Sequence, residues 1–247
     1  MMRDARSSED RQAEPRHGGA LASATARYGL PAEGWLDLST GINPEPWPAP
    51  PLDAATFTRL PDPADLANLM TAARRAYGAP ANVRIIPVPG TDLALRLLPT
   101  LVSRAKVAIL SPTYSGHAEA WSGAGHSVRP VFDLPAAAGS DVVVLANPNN
   151  PDGRVTTRDS LLGALAALPA DGLLVVDEAF AEVAPEASIV PALGDSRLVV
   201  LRSFGKFYGL AGLRLGFVLG SGGTLARLGA LMGDWPVSGP ALAIGRA

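Results

Sequence analysis

RLVVLRSFGKFYGLAGLRLGFVL, from Arg197 to Leu219, is the stretch of the sequence that decides the fold. It begins and ends with the apolar, branched runs RLVVLRS and LRLGFVL, whose composition is typical of buried strands. Only the short segment FGKFYGLAG separates them, whereas a crossover between parallel strands needs about a dozen residues or more. The second strand is therefore predicted to run antiparallel to the first, with Lys206 in the loop that joins them.

Upstream of this stretch, short apolar runs alternate with segments of helical periodicity. The runs are RIIPV (84–88), KVAIL (106–110), SVRPVF (127–132), DVVVLA (141–146) and LLVVD (173–177). The helix-like segments include ADLANLMTAARRAYGA (64–79), TDLALRLLPTLVSR (91–104) and TRDSLLGALAAL (157–168). Such alternation is typical of a parallel sheet covered on both faces. The sequence thus predicts an α/β, doubly wound fold with a mostly parallel seven-stranded sheet, one antiparallel strand and helices on both faces.

The composition excludes several classes of function. The formal net charge of −2 provides no basic field for nucleic acid or for an anionic membrane surface, and no apolar stretch is long enough to span a bilayer. The chain has no cysteine, and its three histidines lie far apart without metal-ligand spacing. We therefore expect a cytoplasmic enzyme that acts on a small molecule and holds no metal.

The organisation along the chain changes twice. Residues 1–16 are polar and mixed in charge, without the apolar core of a signal peptide, and are expected to be disordered. Residues 17–62 are rich in proline, which denies them long helices and central strands, so they are expected to form an N-terminal arm. Residues 63–247 carry the alternating pattern and are expected to form the large domain.

Polar residues follow most of the predicted strands, at the edge where ligands of such sheets gather. They are Gly90-Thr91, Tyr114, Asn150, Asp177, and Ser203 with Lys206. Each has an ordinary structural explanation when it is taken alone. Gly-Thr before a helix is usually a turn and an N-cap, NPNNPDG is rich in turn-forming residues, and a single tyrosine usually serves packing.

Taken together, these residues supply what one phosphorylated aromatic cofactor needs. The helix start at Thr91, the Ser203 hydroxyl and the Arg214 guanidinium suit a phosphate, and Tyr114 can stack on a planar ring. Asn150 can donate to a phenolic oxygen and Asp177 can keep a pyridine nitrogen protonated. Lys206 provides an imine-forming amine. The chain contains only one other lysine, Lys106.

At these residues the sequence resembles the fold-type I enzymes of the class I/II aminotransferase superfamily, which use pyridoxal 5'-phosphate (PLP). The resemblance runs from about Leu38 to Val218, and its anchors are PGTD (89–92), NPNNPDG (147–153), DEAF (177–180), SFGK (203–206) and YGLAGLRLGF (208–217).

The resemblance implies a role for each matching residue. Lys206 would hold PLP as a Schiff base, Asp177 would pair with the pyridine nitrogen, and Asn150 would pair with the phenolic oxygen. The cofactor phosphate would lie against Gly90, Thr91, Ser203 and Arg214, with Tyr114 over the ring. Many relatives have tyrosine where this chain has Phe180, and that change removes a hydrogen bond to the phenolic oxygen.

Within the superfamily, the N-terminal part resembles the branch that decarboxylates L-threonine O-3-phosphate in cobalamin biosynthesis. The residues that carry this resemblance are HGG (17–19) and WLDLSTGINPEPWP (35–48). It implies a PLP-dependent carboxy-lyase that forms (R)-1-aminopropan-2-yl phosphate and acts as a homodimer. The proposed substrate-binding residues are His17, Gly18, Gly19 and Asn43. The alternative for this stretch is an ordinary arm without a role in binding.

Two other functions are left open by the residues. One is an aminotransferase that acts on histidinol phosphate or a similar amino acid, and the other is a homologue that binds PLP but is inactive. The second alternative follows from the C-terminus: family members usually continue into a small domain that supplies an arginine for the substrate carboxylate. That small domain is expected to be largely missing here.

Overall fold

The computed structural model describes residues 18–247, in two compact units that divide between Ile42 and Asn43. Residues 1–16, predicted to be disordered, lie outside the described residues, as does His17. The boundary divides the predicted arm, residues 17–62, so that residues 43–62 belong with the larger unit.

The larger unit is built on a single seven-stranded sheet with the strand order β1-β7-β6-β5-β4-β2-β3. The strands are β1 (Arg84–Val88), β2 (Lys106–Leu110), β3 (Ser127–Val131), β4 (Val142–Ala146), β5 (Leu173–Asp177), β6 (Leu198–Ser203) and β7 (Gly216–Gly220). The pairs among β2 to β6 are parallel, whereas β7 lies antiparallel to both β6 and β1. The predicted fold, with an antiparallel last strand after the Lys206 loop, is confirmed.

Helices connect and cover these strands. In residues 18–247 they are α1 (Leu21–Tyr28), α2 (Ala55–Thr58), α3 (Pro63–Tyr77), α4 (Thr91–Leu97), α5 (Ser115–Gly123), α6 (Arg158–Ala167), α7 (Gly222–Met232) and α8 (Gly239–Arg246). Short 3-10 helices cover Leu98–Leu101, Pro135–Ala137, Ala181–Val183, Pro185–Ala187, Val190–Ala192 and Ala211–Leu213. The boundaries of α3 follow from its sequence, because the Asp62 side chain accepts a hydrogen bond from the N–H of Ala64 and Gly78 ends the helix in the left-handed conformation.

Each face of the sheet has its own apolar core, and the alternation along β5 shows how they are divided. Leu174 and Val176 pack into one core, whereas Leu173 and Val175 pack into the other. Successive side chains of a strand point to opposite faces. Asp177, at the end of β5, therefore points toward the face covered by α4 and α5. The next residue, Glu178, points toward the opposite face.

The first unit places its two consecutive glycines against a serine. The N–H of Gly19 donates to Oγ of Ser39 at 2.8 Å, and that hydroxyl donates to Oδ1 of Asp37 at 2.5 Å. A Cβ atom at Gly18 would lie 2.5 Å from the carbonyl carbon of Ser39, so no larger residue fits there. Hydrogen bonds from the hydroxyl and the backbone N–H of Ser39 lower the pKa of Asp37.

Within residues 18–247, no helix has the length and apolar character needed to cross a membrane.

Candidate active site

Lys206 lies in the loop between β6 and β7, and a segment near the start of the larger unit holds the backbone of this loop. The backbone N–H of Asn43 donates to the carbonyl of Lys206 at 3.0 Å. Its side-chain Nδ2 donates to the carbonyl of Phe207 at 2.9 Å, and the N–H of Trp47 donates to the carbonyl of Tyr208 at 2.8 Å. Three successive carbonyls of the loop are therefore held by two residues that are distant in sequence.

The other lysine of the chain lies at the opposite edge of the sheet. Lys106 is the first residue of β2, whereas Lys206 lies three residues after the end of β6, and these strands run in the same direction. A five-residue strand spans about 16 Å. Lys206 is thus the primary amine that the fold places at the carboxyl ends of the parallel strands.

Asp177 is a buried carboxylate with a histidine beside it. Its Oδ1 accepts a hydrogen bond from the N–H of Ala179 at 3.1 Å, and Nε2 of His117 lies 3.3 Å from its Oδ2. That pair is close but poorly aligned, so neither ring nitrogen of His117 has a hydrogen-bond partner among the described residues. In the same part of the chain no lysine or arginine forms an ion pair with Asp177.

His117 is a site residue that the sequence did not reveal. It stood alone in sequence, without metal-ligand spacing, yet it is fully buried on α5 and its ring meets the ring of Tyr114 edge to face at 5.8 Å. The available signal was its position three residues after Tyr114, which places His117 in the first turn of α5 and Tyr114 at the N-cap of that helix. Burial raises the pKa of Tyr114.

Gly90, Thr91 and Arg214 form a cradle at the start of α4. Gly90 has φ of 82° and precedes the helix, and a Cβ atom there would lie 2.9 Å from Cζ of Arg214. Arg214 itself has φ of 53°, a left-handed conformation that is rare for residues other than glycine. A Cβ atom at Gly216 of β7 would lie 2.9 Å from the backbone nitrogen of Thr91. The two glycines therefore let a guanidinium and a helix start approach one another closely.

Ser203 and Gly216 occupy neighbouring strands at this cradle. They are register partners at the ends of β6 and β7, and Ser203 is buried. The hydroxyl and guanidinium that the sequence assigns to a phosphate are thus contributed by adjacent parts of the same sheet edge.

The NPNNPDG loop is held through its first and second asparagines, Asn147 and Asn149. Asn147 exchanges two hydrogen bonds with the backbone of Thr156, at 2.8 and 3.0 Å. Asn149 accepts from Oγ1 of Thr113 at 2.8 Å and donates to the carbonyl of Pro112. The bonds of Asn149 attach the loop to the segment that carries Tyr114. The next residue, Asn150, is exposed.

Phe180 lies near the amine of the lysine loop. Nζ of Lys206 is 6.0 Å from the centre of the Phe180 ring. Phe180 therefore offers an apolar ring near this amine and no hydroxyl to a ligand.

The proposed substrate-binding residues are divided between the two units. His17 lies outside the described residues, and Gly18 and Gly19 belong to the first unit. Asn43 belongs to the larger unit, where Nδ2 donates to Phe207 and Oδ1 accepts from the N–H of Glu45 at 3.0 Å. The Asn43 amide therefore already has partners on both of its polar atoms.

The residues at this edge fit PLP. The cradle at Gly90 would be filled by any larger side chain, and it presents backbone N–H groups and a guanidinium, which are the donors that a phosphate prefers. Asp177 is a buried carboxylate without a lysine or arginine partner in the described part of the chain, and a protonated pyridine nitrogen would neutralise it. Lys206 supplies the amine that PLP enzymes need.

Comparisons with known proteins identify the family of this chain. The family model "Aminotransferase class I and II" matches residues 51–247. The chain is 44% identical over 91% of its length to a threonine-phosphate decarboxylase from Pseudomonas aeruginosa. It is 45% identical over 94% of its length to another from Sinorhizobium sp. It spans 67% and 70% of those relatives.

A solved structure is also similar to this chain, at lower sequence identity. Histidinol-phosphate aminotransferase from Sinorhizobium meliloti, in complex with pyridoxal-5'-phosphate, is 32% identical with a TM-score of 0.65, over 78% of this chain and 57% of that one. Together with the matched family model, these similarities show that the chain belongs to the class I and II aminotransferase family, whose cofactor is PLP.

Proposed function

We propose that this protein is a PLP-dependent carboxy-lyase that converts L-threonine O-3-phosphate to (R)-1-aminopropan-2-yl phosphate. The observation that carries the proposal is its 44–45% identity to two threonine-phosphate decarboxylases over more than nine-tenths of the chain. The chain spans about two thirds of the length of those relatives. Their activity is therefore a proposal for this chain.

The residues at the sheet edge have distinct proposed roles. Lys206 carries the cofactor, Asp177 holds a proton at its pyridine nitrogen, and Asn150 donates to its phenolic oxygen. Its phosphate is bound by Gly90, Thr91, Ser203 and Arg214, and Tyr114 covers the ring. When bound, PLP acts as the electron sink for the bond that breaks at Cα of the substrate.

The same chemistry allows either decarboxylation or transamination, and the protein selects between them by orienting the substrate. In the proposed reaction the substrate loses CO₂ and Cα gains a proton. Nζ of Lys206 delivers that proton, because it is the primary amine at this edge. We propose that His17, Gly18 and Gly19 bind the substrate phosphate. For Asn43, the hydrogen bonds to Phe207 and Glu45 favour a role in holding the lysine loop.

A product analysis tests the proposal. The purified chain with PLP is incubated with L-threonine O-3-phosphate, and in parallel with histidinol phosphate and a keto acid. Release of CO₂ from the first substrate, lost in Lys206→Ala, is expected. Formation of pyridoxamine phosphate and a keto product instead would favour the aminotransferase. PLP bound to Lys206 without turnover of either substrate would identify an inactive homologue.

The proposal extends to cellular context. We propose that the enzyme serves cobalamin biosynthesis in the cytoplasm and acts as a homodimer. Exposed large side chains of the larger unit, among them Phe57, Leu60 and Trp235, offer apolar surface for a second copy. Size-exclusion chromatography with light scattering distinguishes a monomer from a dimer. A fully active monomer would contradict the proposed homodimer.

A further inference from the structure

We propose that a buried cluster of Glu178, Arg202 and Glu182 positions Asp177 and Ser203 for the cofactor from the opposite face of the sheet. We call these three residues the Glu178–Arg202–Glu182 cluster. The inference rests on the PLP site proposed above, and it assigns a positioning role to residues that touch neither cofactor nor substrate.

The cluster is held by short contacts between buried charges. Nη1 of Arg202 donates to Oε2 of Glu178 at 2.9 Å, and Nη2 donates to Oε1 of Glu182 at 2.7 Å. The side chains are 7%, 0% and 9% exposed for Arg202, Glu178 and Glu182. The guanidinium of Arg202, near the end of β6, thus binds both Glu178, the residue after β5, and Glu182.

The neighbours of the cluster in sequence are the site residues themselves. Asp177 precedes Glu178, and Ser203 follows Arg202. Because successive side chains along a strand point to opposite faces, the Glu178–Arg202 pair lies on one face while Asp177 and Ser203 point to the other. The N–H of Glu178 also donates to the carbonyl of Leu201 at 2.9 Å, which continues the parallel ladder by one more bond. A clamp on one face therefore fixes the spacing of the two site residues on the other.

The surroundings hold each member in one orientation. Ser188 donates its hydroxyl to Oε2 of Glu178 at 2.7 Å, and the N–H of Ile189 donates to Oε1 at 2.7 Å. The guanidinium of Arg202 lies over the ring of Tyr77, with Cζ 4.4 Å from its centre. Lateral movement of the carboxylate or the guanidinium would break several of these contacts at once.

The charges in the cluster do not balance. Two carboxylates face one guanidinium, and Nε of Arg202 and Oε2 of Glu182 have no hydrogen-bond partner within residues 18–247. The other titratable groups near it are the phenols of Tyr77 and Tyr208, which interact with both Arg202 and Glu182. Burial of such an ion pair gives little net stability compared with apolar residues of similar size. A gain in stability therefore does not explain why these charges are buried. Their directional hydrogen bonds are suited to holding the ends of β5 and β6 in place.

The test removes the charges together, so that no single charge is left buried alone. The triple variant Glu178→Gln, Arg202→Met and Glu182→Gln is compared with Leu198→Ala, which opens a cavity on the same face of β6 but at the other end of the strand. Two quantities are measured in the full chain: the dissociation constant for PLP, and the ring ¹⁵N chemical shifts of His117 in the cofactor-free protein. His117 reports on Asp177 because its Nε2 lies 3.3 Å from that carboxylate.

The cluster variant is expected to bind PLP about tenfold more weakly, a loss of the size that outer-shell changes cause at metal sites, and to shift the His117 signals. Leu198→Ala is expected to lower the thermal midpoint while leaving both quantities near wild type. An unchanged PLP dissociation constant together with unchanged His117 signals in the cluster variant would overturn the inference, as would equal changes in Leu198→Ala.

A milder variant keeps the test valid if the triple variant does not fold. Glu182→Gln retains the Glu178–Arg202 pair and is expected to shift the His117 signals in the same direction, by less. Failure of the proposed function has a different signature: wild-type protein would then form no borohydride-reducible adduct with PLP at Lys206. The His117 measurement needs no cofactor, so it decides the positioning role in either case.

Discussion

Nε2 of His117 lies 3.3 Å from Oδ2 of Asp177, although one residue is on α5 and the other ends β5. The histidine is fully buried, and the carboxylate is nearly so. A buried imidazole packed beside a carboxylate restricts the rotamers that the carboxylate can adopt. Oδ1 of Asp177 accepts one hydrogen bond, from the N–H of Ala179, and a carboxylate oxygen can accept a second one from a ligand. We expect this contact to aim Asp177 at the pyridine nitrogen of PLP.

Substitutions of Asp177 and His117 should therefore lower the activity by different amounts. Asp177→Asn removes the charge that holds the pyridine proton and is expected to lower kcat about a thousandfold, in the range lost when a key electrostatic partner is removed. His117→Asn removes only its support and is expected to lower kcat roughly tenfold. Steady-state kinetics measure both effects.

His126 provides the control for that comparison. It is also buried, but it accepts from the N–H of Ala105 and contacts the carbonyl of Pro99, away from the lysine loop. His126→Asn is expected to lower stability and leave kcat unchanged. Equal losses of kcat in the two histidine variants would show that His117 matters only for folding.

Lys206 is expected to be the attachment point of the cofactor. Lys206→Ala should abolish the borohydride-reducible absorbance band of the protein–PLP mixture and reduce turnover roughly a thousandfold or more. Lys106→Ala, at the other edge of the sheet, should retain both. Absorbance spectra before and after reduction decide between the lysines, and a band that persists in Lys206→Ala would refute the assignment.

Gly90→Ala tests the phosphate cradle. The substitution forces a left-handed residue and places Cβ against the Arg214 guanidinium, so PLP affinity is expected to fall tenfold or more, besides a backbone cost of about 1–2 kcal/mol. Gly139→Ala is the matched control, because its φ is 77° and no atom lies within 4 Å of the added Cβ. It should cost similar stability and leave PLP affinity intact. Titration of PLP, with thermal unfolding alongside, measures both.

Asn43→Ala distinguishes positioning from substrate binding. Loss of the bond to Phe207 is expected to loosen the Lys206 loop, which should alter the pH dependence of the cofactor absorbance and lower kcat roughly tenfold. A rise in KM alone, with the absorbance titration unchanged, would instead place Asn43 in the substrate site.

Glu178 should make stability depend on pH. Burial raises its pKa, although Arg202, Ser188 and the N–H of Ile189 oppose the shift. A carboxyl whose pKa is higher in the folded state binds more protons there than in the unfolded chain, so its contribution to stability falls as pH rises through that window. The free energy of unfolding of wild type minus that of Glu178→Gln is therefore expected to decrease above about pH 4.5. Urea titrations between pH 4 and 7 measure it, and a difference that increases with pH would contradict the direction of the shift.

The sequence by itself determined the sheet and the position of the lysine. Apolar runs such as those at 173–177 and 198–203 are local signals, because burial on both faces demands continuous branched side chains. The short segment between the last two runs determined the direction of β7, since chain length alone forbids a parallel crossover there. The scarcity of lysine then left Lys206 as the amine at the ligand edge.

Only the tertiary structure decided which side chains support that site. The contact of His117 with Asp177 joins residues 60 positions apart, and the Glu178–Arg202 pair and the hold of Asn43 on Phe207 span still different strands and loops. None of these pairs has a local pattern, because each joins elements that only the tertiary fold brings together, and the Glu178–Arg202 pair depends on the register between β5 and β6. A one-residue change of that register would turn Asp177 and Ser203 to the other face, and so packing, rather than spacing along the chain, determines the geometry of the site.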